Sequence, residues 1–375
     1  MQPVFVAGAG MTRIGRRSES LPSLMAEAAR TALTEAGLET PDAIVVATMN
    51  PEEFLGDGNF ASHAATEMGF ADVPALRIET ATSSGAAAFY AGFAQVAAGL
   101  RRTVLVVGGE KMTHLGTPRV SEIIGRSIDP YERTYGATMP ALAGLVSRAL
   151  MSRHGVTARE IAQVAVKNHA NATRNPLAHF QQALTVEQVL ESRMVADPLR
   201  LLHCCPISDG AAAVVLGVAG TSVRVAGVGH GTDTLALRHR RELTTFAATR
   251  AAAREAYAMA GFGPERIDLA EVHDAFTPFE LISLEDLGLV PPGKGGRATL
   301  DGDTALEGRL PINPSGGLKA RGHPLAATGL AQIVECVWQL TGRARDRQIP
   351  DAHYALAHSI GGLATNNWVT ILARA

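Results

Sequence analysis

ARTALTEAGLETPDAIVV at residues 29–46 fits over AREAYAMAGFGPERIDLAE at residues 253–271, with one extra residue in the second. Each reads as an amphipathic helix, a glycine that ends it (Gly37, Gly261), a loop containing a proline (Pro41, Pro264), and then a buried strand. A second, looser echo lies downstream of each copy. Gly85 opens a helix of small residues, SGAAAFYAGFAQVAAGL, followed by the strand TVLVVGGE, and Gly329 opens GLAQIVECVWQLTG, followed later by YALAHSIGG. Helix–strand–helix–strand order thus occurs twice, half a chain apart, which predicts a duplicated α/β fold.

The first half is expected to run over 1–217, closed by the strand AAAVVLGV, and the second over 222–375, opened by VRVAGVGH. Between them, about 111–200 reads as an insertion with helices near 137–153 and 157–173. Such a segment suits a lid or substrate-loop domain. Gly8-Ala9-Gly10 follows an apolar run with no third glycine at dinucleotide-fingerprint spacing, and it reads as a turn.

The formal net charge is −2 over 375 residues, with no long run of lysine or arginine. That excludes a nucleic-acid binder of the ordinary kind, which needs a clustered basic surface. Of the three cysteines, Cys204 and Cys205 are adjacent and Cys336 falls on the apolar face of a helix. This is no disulfide framework, and with no C-x-x-C pair there is no zinc-site signature either, so a reducing compartment and no metal are expected. The start, MQPVFVAGAG, reads as a first strand rather than a signal peptide, and no apolar run is long enough to span a bilayer. A cytoplasmic protein without membrane or nucleic-acid partners is the expectation.

Chemistry concentrates at three strand ends. INPSGGLKARGHPLAATG (312–329) has too many glycines for a helix or strand, and His323 sits between Gly322 and Pro324 as a candidate base. A helix opening near Thr328 would point amide donors back at this loop. EVHDAFTPFELISLEDLGL (271–289) puts His273 and Asp274 at the end of a buried strand. ALAHSIGG (355–362) ends another with His358 and Ser359. One histidine alone would be structural, whereas three polar strand ends beside turns are the pattern of an α/β active site.

These segments, with the duplicated halves, resemble the thiolase superfamily from Pro3 to Leu372. The resemblance is strongest to the sterol-carrier-protein-X and archaeal branch, through GATMPALAGLVSRALMSRHG, VAVKNHANATRNPLAHF and DPLRLLHCCPISDGAAAVVL. It implies a five-layered α-β-α-β-α fold, a homodimer with the segment around 76–82 at its interface, and a coenzyme A thioester as substrate, without a metal or redox cofactor. It further implies that His323 activates the nucleophile, that His273 forms part of an oxyanion hole or holds a water, and that Ser359 stands where a second cysteine would shuttle a proton, with His358 beside it. Ser315, Gly316, Gly317 and Lys319 of the loop and Lys167 of the insertion are the candidate contacts to coenzyme A; for Lys167 a solvated helix face is equally open, and for Ser315 and Lys319 a purely structural place is.

The family's nucleophilic cysteine precedes a small residue, Ser or Thr, then Gly, and RIETATSSG puts Thr82 at that position. A threonine hydroxyl is far less acidic than a thiol with its pKa near 8.5. Cys205 and Cys336 both read as buried packing residues rather than replacements. Two functions follow. One is an acyl-CoA enzyme that makes or breaks a carbon–carbon bond next to the thioester, as an acyltransferase or by retro-aldol cleavage without an acyl-enzyme. The other is a non-catalytic acyl-CoA-binding or scaffold subunit of a complex with a small zinc-ribbon/OB-fold partner.

Overall fold

The computed structural model describes residues 2–219 and 223–375. The expected opening of the second half at residue 222 lies outside the described residues. The first half comprises β1 (Phe5–Met11), α1 (Leu21–Ala36), β2 (Ile44–Ala47), β3 (Ala75–Ile78), α2 (Ser84–Ala97) and β4 (Thr103–Glu110). After α3 (Met139–His154) and α4 (Ala158–Ala172) of the insertion it closes with β5 (Gly210–Gly217). The second half comprises β6 (Val223–Thr232), α5 (Ala247–Ala260), β7 (Leu269–Glu271), α6 (Thr277–Asp286), α7 (Thr328–Leu340), β8 (Tyr354–Gly361) and β9 (Asn366–Arg374).

Local chemistry sets the ends of these elements. Ser20 caps α1 by accepting from the Ser23 amide, Leu21, Leu24, Met25, Ala28, Ala29 and Ala32 form its buried stripe, and Gly37 ends it at φ +61°. Gly261 ends α5 in the same way at φ +78°. The strands run β3-β2-β4-β5-β1-β6-β9-β8-β7, so each half repeats one order outward from the junction of β1 and β6. The halves meet at the pair Phe5–Arg224.

Five layers result. α1 packs on the outer face of β2, β4 and β5. α2 and α7 lie together between the sheets of the two halves, and α5 covers the outer face of the second sheet. Strands covered on both faces are apolar throughout, as IVVA (44–47) and VLVVGG (104–109) are. The thiolase fold anticipated from the duplicated segments is the fold found.

Gly8 and Gly10 do not form a turn: both lie inside β1. A Cβ on Gly8 would come within 2.0 Å of the Ala32 carbonyl oxygen of α1, so the glycines let helix and strand touch backbone to backbone. Gly227, Gly229 and Gly231 of β6 do the same for α5, where a Cβ on Gly229 would come within 2.0 Å of the Ala252 oxygen. This is a third echo of the duplication. The second half has no full counterpart of β3. Ile312 alone bridges Ala270 of β7, and the chain then turns at Asn313 (φ +55°) into the glycine loop.

Candidate active site

Three segments converge where β7 and β8 end. Thr82 lies in the turn before α2, directly after Ala81, a non-glycine residue at φ +54°. Two further hydroxyls bind this turn: Ser84 donates to the Ala81 carbonyl at 2.6 Å, and Ser83 to the Thr80 carbonyl at 2.8 Å. The Thr82 hydroxyl itself donates to the carbonyl of Ile360 at 2.6 Å.

His273 is fully buried, and its Nδ1 accepts the Ile360 amide at 3.1 Å. Only a bare nitrogen can accept, so the proton of the neutral ring sits on Nε2. Burial, then the neighbouring His323, His358 and Arg321, push its pKa well below the usual imidazole range. His323 stacks edge-on against it with ring centres 5.2 Å apart. Its Nδ1 meets the Thr328 hydroxyl at 2.7 Å, and its amide is held by the Ser208 hydroxyl at 3.2 Å. Burial and the Arg321 charge lower its pKa to about 3. Both rings are therefore neutral at pH 7.

Thr82, His273 and His323 face one cavity of about 230 Å3. Its walls are apolar, with Phe276 and Phe279 following His273, Met139 and Pro140 at the start of α3, and Met112 and Leu325 opposite. Exposed Thr117, Ser121 and Thr138 of the insertion lie at its edge. The insertion thus supplies part of the wall of the site. Cys204 and Cys205 also line the cavity, which reading Cys205 as a packing residue missed. Burial raises their pKa values to about 11 and about 12, so both are protonated thiols.

The remaining candidates lie elsewhere. His358 points away from the cavity, where its Nε2 meets the Thr249 hydroxyl of α5 at 3.0 Å. Ser359, one residue on, faces the opposite side of β8 and is buried. Ser315 gives its amide and hydroxyl to Glu271 at 2.9 and 2.7 Å. Gly316 and Gly317 adopt φ +102° and +60°, and a Cβ on Gly317 would fall 2.4 Å from the Asp274 carboxylate. That carboxylate accepts the amides of Leu318 and Lys319 at 2.6 and 3.2 Å. The glycines therefore fold the loop around Asp274.

Lys319 is buried against Phe180, with its amine 3.2 Å from His169 Nε2, and burial lowers its pKa. The Lys167 amine bonds Asn168 and the Ile312 carbonyl and pairs with Glu280 at 3.1 Å. None of these seven candidates lines the cavity. Among the described residues, no cluster of three or more His, Cys, Asp or Glu is placed to hold a metal ion, and no helix is long and apolar enough to cross a membrane.

Comparison with known proteins agrees with this architecture. Residues 4–219 match the thiolase N-terminal domain and residues 229–374 the thiolase C-terminal domain-like family. The acetyl-CoA acetyltransferase of Methanothermobacter thermautotrophicus is 43% identical over 384 residues, covering 100% of both chains. Sterol carrier protein 2 of Rattus norvegicus is 34% identical over 383 residues, covering 96% of this chain and 70% of its own length. The solved Ltp2-ChsH2(DUF35) aldolase superposes with a TM-score of 0.85 at 25% identity, covering 100% of this chain and 98% of that one. Human mitochondrial 3-ketoacyl-CoA thiolase in complex with CoA has the same fold, with a TM-score of 0.76 at 19% identity, covering 100% of this chain and 98% of its own. With both halves matched and relatives of this similarity along the full chain, the protein belongs to the thiolase family.

Proposed function

We propose that this thiolase-family chain acts on an acyl-CoA, making or breaking the carbon–carbon bond next to the thioester through an enolate and without an acyl-enzyme. The observation that carries this reading is the direction of the Thr82 hydroxyl. Its proton is given to the Ile360 carbonyl, and neither His273 nor His323 is hydrogen-bonded to it. A hydroxyl with no base at hand is no nucleophile. Thr82, at the position where the resemblance would have a cysteine, lines the site instead.

In this reading the Nε2–H of His273 holds the thioester oxygen as charge develops there, and the neutral His323 moves the proton. For a β-hydroxyacyl thioester, His323 Nε2 takes the hydroxyl proton and the Cα–Cβ bond breaks. A carbonyl compound leaves, and the same proton returns to Cα of the enolate. His323 Nδ1 then donates to Thr328 so that Nε2 is free to act. The likeness to an aldolase of the same fold supports cleavage as one direction of this chemistry. That aldolase is named as Ltp2 with ChsH2(DUF35), which supports a partner chain here, and we propose a small zinc-ribbon/OB-fold protein in that place. We place the chain in the cytoplasm as a homodimer.

Incubating the protein, with and without such a partner, with acyl-CoA esters in D2O tests the reading. Deuterium at Cα and release of a carbonyl fragment from β-hydroxyacyl-CoA are expected. Binding of acyl-CoA with neither event would favour a non-catalytic subunit.

A further inference from the structure

The cavity that Thr82, His273 and His323 face is polar at its mouth and apolar inside. Thr117, Ser121 and Thr138 at its edge are exposed, whereas Met112, Phe279 and Leu325 are buried, as are the two histidines. Coenzyme A, with its nucleotide and phosphates, is far too large for about 230 Å3, so its arm reaches the histidines past the exposed hydroxyls. The group left for the buried end is the acyl part of the thioester.

The lining of that end selects against charge. Among the described residues, no aspartate, glutamate, lysine or arginine lines the cavity. Its two imidazoles are neutral at pH 7, and its two cysteines are protonated thiols. Lys319 and Arg321 stand outside it: the Lys319 amine is turned to His169 at 3.2 Å, and Arg321 Nη1 to Glu271 at 3.2 Å. The Thr82 hydroxyl is engaged by the Ile360 carbonyl. A carboxylate on the acyl group would leave water here and meet no cation, a cost that nothing in this wall offsets.

Size and surface favour an apolar group. An apolar cavity of about 150 Å3 takes one benzene ring, so about 230 Å3 takes a ring with a short link. Phe276 and Phe279 meet at 67° with ring centres 5.4 Å apart, and a third ring extends such an edge-to-face set. Met112 and Met139 add soft sulfur surface that adapts to a ring edge. We propose that the acyl group this site takes is uncharged and apolar, up to about one aromatic ring on a short link, and that acyl groups ending in a carboxylate are rejected. The proposal deepens the reading above and rests on acyl-CoA being the substrate.

Titration calorimetry with saturated thioesters, which have no β-hydroxyl to cleave, tests the pocket apart from the chemistry. 3-Phenylpropanoyl-CoA is expected to bind at least about tenfold more tightly than acetyl-CoA, and glutaryl-CoA no more tightly than acetyl-CoA. A smaller gain for 3-phenylpropanoyl-CoA, or glutaryl-CoA binding within about tenfold of it, overturns the proposal. If none of the three binds, the acyl-CoA reading falls with it. Turnover is scored separately: 3-hydroxy-3-phenylpropanoyl-CoA should give benzaldehyde and acetyl-CoA, the hydroxyl proton ending on Cα of the acetyl group. The expected order of binding without release of benzaldehyde upholds the acyl class and overturns the cleavage.

Discussion

Thr82 and His273 are tied to one residue: the Thr82 hydroxyl donates to the Ile360 carbonyl at 2.6 Å, and the Ile360 amide donates to His273 Nδ1 at 3.1 Å. The cause lies in the sheet. β7 pairs with β8 only as far as Glu271 and Ala357, so Ile360 lies beyond the end of its parallel neighbour. Buried backbone groups do not go unpaired, and here two side chains take the place of the missing strand. The same pair of bonds fixes the tautomer of His273 and turns the Thr82 proton away from both histidines.

Thr82→Ala therefore separates two chemistries. If Thr82 only lines the site, the substitution removes one neutral hydrogen bond, about 1 kcal/mol or roughly fivefold in rate. We expect this small effect, with no acyl adduct in intact-mass spectra after incubation with acyl-CoA. A nucleophile would cost several orders of magnitude, and a stable mass shift mapping to Thr82 would reverse the assignment.

His273→Ala is expected to cost about a hundredfold or more in kcat, the size of losing one oxyanion donor. His273→Asn should recover part of the loss, because its amide can accept from Ile360 and still donate. Circular dichroism should show both variants folded. Equal activity in the Ala and Asn variants would mean that donation to substrate is not what the ring does.

The fold was legible because duplication and periodicity are properties of residue order: Gly37 and Gly261 each follow an Ala-rich amphipathic stretch and precede a strand, and both are left-handed caps. The direction of a side chain is not written the same way. His358 and Ser359 are neighbours, and the two-residue period of a strand sends one to Thr249 and the other to the central layer. Lys167, which read equally as a coenzyme contact or a solvated helix face, turns inward to Glu280. Gly8 and Gly10 read as a turn because a glycine pair does not reveal that a helix backbone lies 2.0 Å from where a Cβ would be. Met139, Phe276 and Phe279 wall the cavity, yet in sequence nothing separates them from core residues.

The free edge of β3 leads to a prediction about assembly. β3 pairs with β2 on one side only, and Leu76 on it is 42% exposed. An apolar edge strand of this kind invites pairing with another chain. Light scattering is expected to give a dimer at micromolar concentration, and Leu76→Lys should shift it toward monomer. A stable monomer for the unsubstituted chain would rule the edge out as an interface.

Acid stability provides the last test, because buried histidines and buried carboxyls act in opposite directions. Burial lowers His323 and His358 to about 3, and His169 and His203 to about 4. A depressed folded pKa means that the unfolded chain binds the proton first, so this stability is complete above the unfolded value of about 6.5 and is lost as pH falls toward the folded values. Burial raises Glu110 and Glu271 to about 7, and Asp274 and Asp286 to about 6. Their contribution is complete below the unfolded carboxyl range near 4 and is lost as pH rises through the folded values. Between roughly pH 4.5 and 6.5 the two sets oppose each other; below that the histidines go on losing stability, joined by carboxylates held below their usual range, such as Asp209, which Lys111 and Thr113 keep low in spite of its burial. Stability is therefore expected to vary little across that window and to fall steeply beneath it. His358 lies outside the cavity, so His358→Gln can keep a hydrogen bond to Thr249 while removing one titrating group. It should move the acid-unfolding midpoint, followed by far-UV circular dichroism, to lower pH. A midpoint that stays put or rises would show that the His358 ring is not among the groups whose protonation unfolds the protein.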